Sequence, residues 1–217
     1  MNQQTLYRIS TFFLIGIIML LLAACGEEAT TNKSTVNPGT VVLAPVDKGH
    51  YRMSDLSHDP TNTAIYPGNR LADGMNYRGF LAFDTAGKGL VAGAITDVTI
   101  KVRLEEYNSM DASESLSFYG LNSVTADNLI AGGAVTGAFD DLGTGAYFGN
   151  LTITAADAGT TLTLPMGNAG IIKLEEVLGG KFVVGLFLVV SPQQTYDEHV
   201  VFSHDGGVQT HELVITQ

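Results

Sequence analysis

Tyr77-Arg78-Gly79-Phe80-Leu81-Ala82-Phe83-Asp84, followed after Thr85-Ala86-Gly87-Lys88-Gly89 by the run Ile95 to Leu104, is the stretch whose reading decides the fold. In the second run Val98, Ile100, Val102 and Leu104 alternate with Thr99, Lys101 and Arg103. A period of two sends one face into a core and the other into water, the pattern of a half-buried antiparallel strand. The first run is apolar on both faces, Leu81 and Phe83 on one and Phe80 and Ala82 on the other, so each side needs a cover. The glycine-rich segment between them suits a strand-to-strand connection rather than a helical crossover, and Ile95–Leu104 is expected to be the partner of Tyr77–Asp84.

Working outward, the 217-residue chain is 45% hydrophobic and 15% charged, enough to bury one substantial core. Glycine is frequent at 25 residues, tryptophan is absent, and long runs of helical period are missing, which favours an all-β fold. The formal charge is -11, and removing residues 1–24, which carry Arg8 and no acid, takes it to -12. With no basic cluster to offset it, such a surface repels phosphate backbones and argues against nucleic acid as a partner.

The start of the chain bears on location. Arg8 precedes an apolar run from Phe12 to Leu22, then Ala23-Ala24-Cys25-Gly26. Spanning a bilayer takes roughly 20 apolar residues, so this run suits a secretory signal instead. Leu22-Ala23-Ala24-Cys25 resembles the lipobox of bacterial lipoproteins, which implies a diacylglyceryl thioether on Cys25, the one cysteine of the chain. The membrane then becomes a partner through the anchor, and Gly26 after the cysteine resembles the pattern sorted to the outer membrane. The expected organisation is a lipoprotein signal peptide over 1–24, lipidated Cys25 with a flexible tether over 25–40, and a β-sandwich domain over 41–217.

Along that domain, Val41–Val46, Ser115–Leu121, Asn150–Thr154, Thr160–Leu164, Lys181–Ser191, Val200–Ser203 and Glu212–Thr216 read as strands. Lys181–Ser191 is apolar throughout, as a central strand should be. One short helix is expected from about Asn168, with Ile171, Leu174, Val177 and Leu178 on one face and Gly179-Gly180 as its stop. Asp47–Asn76 reads as a long polar connection, either functional or a meander across one end of the sandwich. Asn128–Gly145, rich in glycine and alanine, reads as irregular with a turn at Asp140-Asp141. The fold class expected is all-β, a two-sheet antiparallel sandwich of jelly-roll type with one short helix.

The order of these pieces resembles the DNRLRE-type domain, related to family 96 carbohydrate-binding modules. The likeness rests on the loop with Asn62, Tyr66, Gly68 and Asn69, the strand Arg78–Asp84 and the strand Ile95–Leu104. It also rests on the late helix with the strand Phe182–Val190, and on Val201-Phe202-Ser203-His204-Asp205 before Glu212–Thr216. That resemblance implies a secreted β-sandwich that binds polysaccharide.

Catalytic signatures are missing. There is no Gly-x-Ser-x-Gly, and His211-Glu212 lacks the second histidine of a zinc helix. His199 and His204, five apart, face opposite ways on a regular strand. Asp140-Asp141 suggests a structural calcium as one option, solvated acids as the other. Carbohydrate binding asks for aromatic faces beside hydrogen-bonding groups, and Tyr51, Tyr66, Tyr107, Tyr119, Tyr147 and Tyr196 are available. The ligand-binding residues selected are Tyr66, Arg78, Tyr107, His204 and Asp205. The function expected is a non-catalytic, membrane-anchored module that binds polysaccharide at the cell envelope, with no cofactor. The alternative is a structural subunit that binds envelope proteins.

Overall fold

The structure is a computed structural model that describes residues 39–54, 56–72, 74–190, 196–206 and 210–217. The expected signal peptide, Cys25 and the tether up to residue 38 lie outside the described residues, as do Pro192 and Gly207 of the expected loops.

Two antiparallel sheets face each other. The smaller holds β1 (Thr40–Leu43), β14 (Glu212–Thr216), β6 (Asp97–Arg103) and β11 (Thr161–Pro165), in that spatial order. The larger runs β10 (Ala146–Ile153), β8 (Glu114–Gly120), β12 (Lys181–Leu188) and β5 (Met75–Asp84), then β4 (Gly68–Arg70), β13 (Glu198–Val201) and β7 (Glu106–Ser109). β2 (Asp47–Arg52) also pairs with β5. Taken in chain order, β1, β5, β6, β8, β10, β11, β12 and β14 lie as 1-8-3-6 in one sheet and 2-7-4-5 in the other. This interleaving is the jelly roll.

Tyr77–Asp84 and Ile95–Leu104 are not partners. β5 pairs with β12, and β6 pairs with β14 and β11, so the connection between them crosses from one sheet to the other. The alternation of β6 holds: Val98, Ile100 and Val102 are buried, while Thr99, Lys101 and Arg103 are half-exposed. Leu81 and Phe83 of β5 join Val98, Ile100, Phe118 and Leu186 between the sheets. Phe80 and Ala82 point the other way, into a second core with Tyr51, Leu129, Phe139, Leu142 and Val183.

Two helices that were not expected cover that second core. α1 (Ala126–Ala131) is capped by Thr125, whose hydroxyl accepts the Asn128 N–H at 3.3 Å. α2 (Ala138–Thr144) contains Asp140 and Asp141, read from sequence as a turn. The Asp141 carboxylate is buried and accepts the N–H groups of Asn122, Ser123 and Val124 at 3.1, 2.7 and 2.8 Å, pinning the loop after β8 to the helix. The third helix, α3 (Gly167–Glu176), is the expected one; it packs on β6 and β10 and buries Leu174. The Asn128–Gly145 region is therefore largely helical, because Leu129, Phe139 and Leu142 supply an apolar side that local propensity does not reveal. Asp47–Asn76 likewise carries β2, β3 (Ser57–His58), β4 and the start of β5, with β3 paired to β9 (Gly133–Ala134).

Buried histidines give the fold a pH dependence. His50 lies between the Ala64 carbonyl (Nδ1, 2.9 Å) and the Tyr66 hydroxyl (Nε2, 3.0 Å), an arrangement that suits the neutral ring. Burial holds the pKa of His50 and of His211 down to about 4. The unfolded chain takes up protons on these groups from about pH 6.5 downward, while the fold does not until about pH 4. Stability should fall across that window by about 1.4 kcal/mol per histidine per pH unit. His58 and His199, also lowered by burial, add to this. Glu114, raised by burial, opposes it from pH 4.5 upward. Urea unfolding from pH 7 to 4.5 is expected to show a steadily declining midpoint; a flat profile contradicts the assignment.

Candidate binding cleft

Among the described residues, helices cover part of the outer face of the larger sheet. α2 packs on β12, β8 and β5, and α1 on β12. Its close approach is permitted by Gly185, where an added Cβ would stand 2.8 Å from the Leu142 carbonyl oxygen. Beside the helices the sheet stays open and carries a row of rings. Tyr147 and Tyr119 are cross-strand partners with centroids 5.4 Å apart, and Phe187 follows at 6.4 Å from Tyr119. The Arg78 guanidinium continues the row, its Cζ 4.7 Å from the Phe187 ring and 4.1 Å from that of Phe139 on α2. Strand alternation sets this up: Phe118, Leu186 and Leu188 point inward, so Tyr119 and Phe187 point outward. At Tyr147 a β-bulge turns Phe148 into the core, where it stacks on Phe182 at 5.7 Å.

Arg78 is held firmly. Its Nη1 donates to the Phe139 carbonyl at 2.6 Å and to the Asp140 carbonyl at 3.2 Å, and lies 3.7 Å from the Asp140 carboxylate. Its buried Nε has no hydrogen-bond partner among the described residues. Burial lowers its pKa, opposed by the Asp140 charge, yet an arginine stays protonated throughout the working range. A cleft of about 450 Å³ opens beside it, lined by Phe187 and Arg78 together with Met53 and Leu56. Met53 is 55% and Leu56 39% exposed. Leu56 has φ 53°, a left-handed conformation that costs a non-glycine residue energy, and its carbonyl accepts the Val135 N–H at 3.3 Å.

The five residues selected from sequence separate. Arg78 belongs to this cleft. Tyr66, His204 and Asp205 share a second, more polar cleft of about 340 Å³ with Arg70, Glu106 and His199. There Arg70 lies over the Tyr66 ring at 4.9 Å, His204 Nε2 meets Glu106 at 3.0 Å, and Asp205 accepts the Thr63 N–H at 3.0 Å. His199 and His204 face one cleft after all, because β13 ends at Val201 and strand parity stops with it. Tyr107 lines neither cleft; its hydroxyl donates to the Asp111 carbonyl at 2.8 Å. Nearby, Asp111, Glu114 and Glu198 bring carboxylate oxygens within 4.8 Å of one another. Of the other tyrosines, Tyr51 is buried and donates to the Leu129 carbonyl at 2.8 Å, whereas Tyr119 and Tyr147 join the row. Phe187 and Phe139 were not singled out from sequence. Phe187 was legible, since its parity is opposite to Leu186 and Leu188; Phe139 was hidden in a stretch that read as irregular.

Gly143 lies on α2 against Arg78: a Cβ there would sit 2.5 Å from the Arg78 Cζ. In an open helix Gly→Ala gains up to about 1 kcal/mol. Here overpacking costs about 1–3 kcal/mol, so Gly143→Ala should lower the unfolding free energy, measured by urea denaturation, despite its better helix propensity. No protein-family model matches this chain and no curated protein matches it, so its own geometry must carry the functional reading.

Proposed function

We propose that this chain is a lipid-anchored lipoprotein whose β-sandwich is a non-catalytic polysaccharide-binding module of the cell envelope. The observation that carries it is the row Tyr147, Tyr119 and Phe187 across three strands, ended by Arg78 of a fourth stacked on the buried Phe139 of α2, beside an open cleft. Flat rings offer apolar faces to sugar rings, and tyrosine hydroxyls and a fixed guanidinium offer hydrogen bonds at their edges. The row runs across the sheet rather than into a closed hole, which suits an internal stretch of an extended chain. The second cleft, with Tyr66, His204 and Asp205, is a polar subsite for the same class of ligand. The resemblance to DNRLRE-type and family 96 modules points the same way.

The anchor is Cys25. Each buried methylene contributes about 0.8 kcal/mol, so a diacylglyceryl group with a further acyl chain holds the protein at a membrane, and Gly26 directs it to the outer one. Metabolic labelling with an alkyne fatty acid is expected to mark the wild-type chain and to leave Cys25→Ala unlabelled.

Affinity electrophoresis of the detergent-purified full chain through polysaccharide-containing gels is expected to show retardation. Tyr119→Ala and Phe187→Ala should each weaken it about 2- to 10-fold, corresponding to roughly 0.5–1.5 kcal/mol per ring contact. Migration unaffected by every neutral and acidic polysaccharide tried would instead favour a structural subunit of an envelope assembly.

A further inference from the structure

The aliphatic part of the cleft lining narrows the class of glycan. An unsubstituted hexose presents hydroxyls around its rim, and each one pressed against an aliphatic surface without a partner weakens binding. The cleft nevertheless sets Met53, Leu56 and Val190 beside the Phe187 and Phe139 rings. Leu56 takes a left-handed backbone conformation to stand there, part-exposed, with its carbonyl tied to Val135 of the segment that leads into α2. Met53 at the end of β2 is fixed by its N–H on the Asn76 carbonyl at 2.9 Å. This apolar lip is therefore held in place from both sides.

Charge narrows the class further. Among the described residues, Arg78 and Asp140 are the charged residues lining the cleft, and they lie 3.7 Å apart, so their charges partly offset. The chain as a whole is acidic, with a net charge of -11, and repels polyanions.

Resting on the polysaccharide reading above, we propose that the cleft selects neutral glycans carrying O-acetyl or comparable methyl-bearing substituents. The sugar ring lies on Phe187, the acyl methyl seats against Met53 and Leu56, and the Arg78 edge donates to the ester or ring oxygens. Burying the acyl methyl favours the substituted chain about fourfold.

The experiment compares acetylated xylan and acetylated glucomannan with the same polymers after mild saponification, using the full chain in detergent and measuring Kd by calorimetry. The acetylated forms are expected to bind about fourfold more tightly, with little change between 50 and 500 mM salt. Leu56→Asn keeps a residue that tolerates the left-handed backbone but removes the apolar lip. It should bring the ratio of acetylated to saponified affinity close to one, and that ratio rather than either affinity alone is the readout. Thermal melting checks that the variant folds; if it does not, the wild-type comparison still decides. Equal binding of acetylated and saponified polymers, with sensitivity to Phe187→Ala retained, overturns the acetyl inference and leaves the glycan reading standing. Binding that collapses with salt overturns the neutrality of the ligand. Absence of binding to all four polymers overturns this inference and also counts against the glycan reading.

Discussion

β5 is the strand on which the architecture depends, because it is buried on both faces. A strand at the surface of a sandwich normally needs only one apolar face, and Phe80 and Ala82 in water would each forfeit the benefit of burial, for the phenylalanine about 1.5–3 kcal/mol. Leu81 and Phe83 close the space between the sheets, while Phe80 and Ala82 require a layer outside them. That requirement recruits α1, α2 and Tyr51 of β2, and so turns a two-layer sandwich into a partly three-layer one.

The outer layer covers only part of the sheet among the described residues, and the first cleft opens at its boundary. α2 comes close where Gly185 and Gly143 offer no side chain, Gly185 to the Leu142 backbone and Gly143 to Arg78. At this edge Arg78 is fixed by backbone carbonyls and by Phe139 on one side and Phe187 on the other. The ion pair with Asp140, whose carboxylate is exposed, adds little, since pairs screened by water contribute about 0–1 kcal/mol. Packing between two rings, with carbonyl acceptors at its end, orients the guanidinium more than charge does.

The two clefts differ in the physics that shapes them. The first is built from rings and aliphatic walls around one compensated charge pair. The second gathers His199, His204, Glu106, Arg70 and Asp205 at the end of β13, with the buried His50 hydrogen-bonded to its Tyr66. Asp140 and Asp141, neighbours in sequence, serve different structures: one faces Arg78, the other caps three amides of the loop after β8. Both carboxylates are thus engaged by the fold itself.

The sequence by itself determined the strand class, the β6 face, the central position of Lys181–Leu188 and the late helix, because each is written in a local period of two or 3.6 residues. It also marked Arg78 and required a cover over Phe80 and Ala82, without saying what the cover was. Only the tertiary structure decided that β5 and β6 lie in opposite sheets, since strand pairing is set by which apolar faces meet rather than by proximity in the chain. It likewise made helices of the glycine-rich 126–144 region, whose few apolar residues form a coherent side only once the sheet is there to receive them. Tyr66, His204 and Asp205 were brought together by the end of β13, whereas Tyr107 turned away to Asp111. The ring row itself, drawn from β10, β8, β12, β5 and α2, has no contiguous sequence signature, because residues that share a sheet face across strands are distant in the chain.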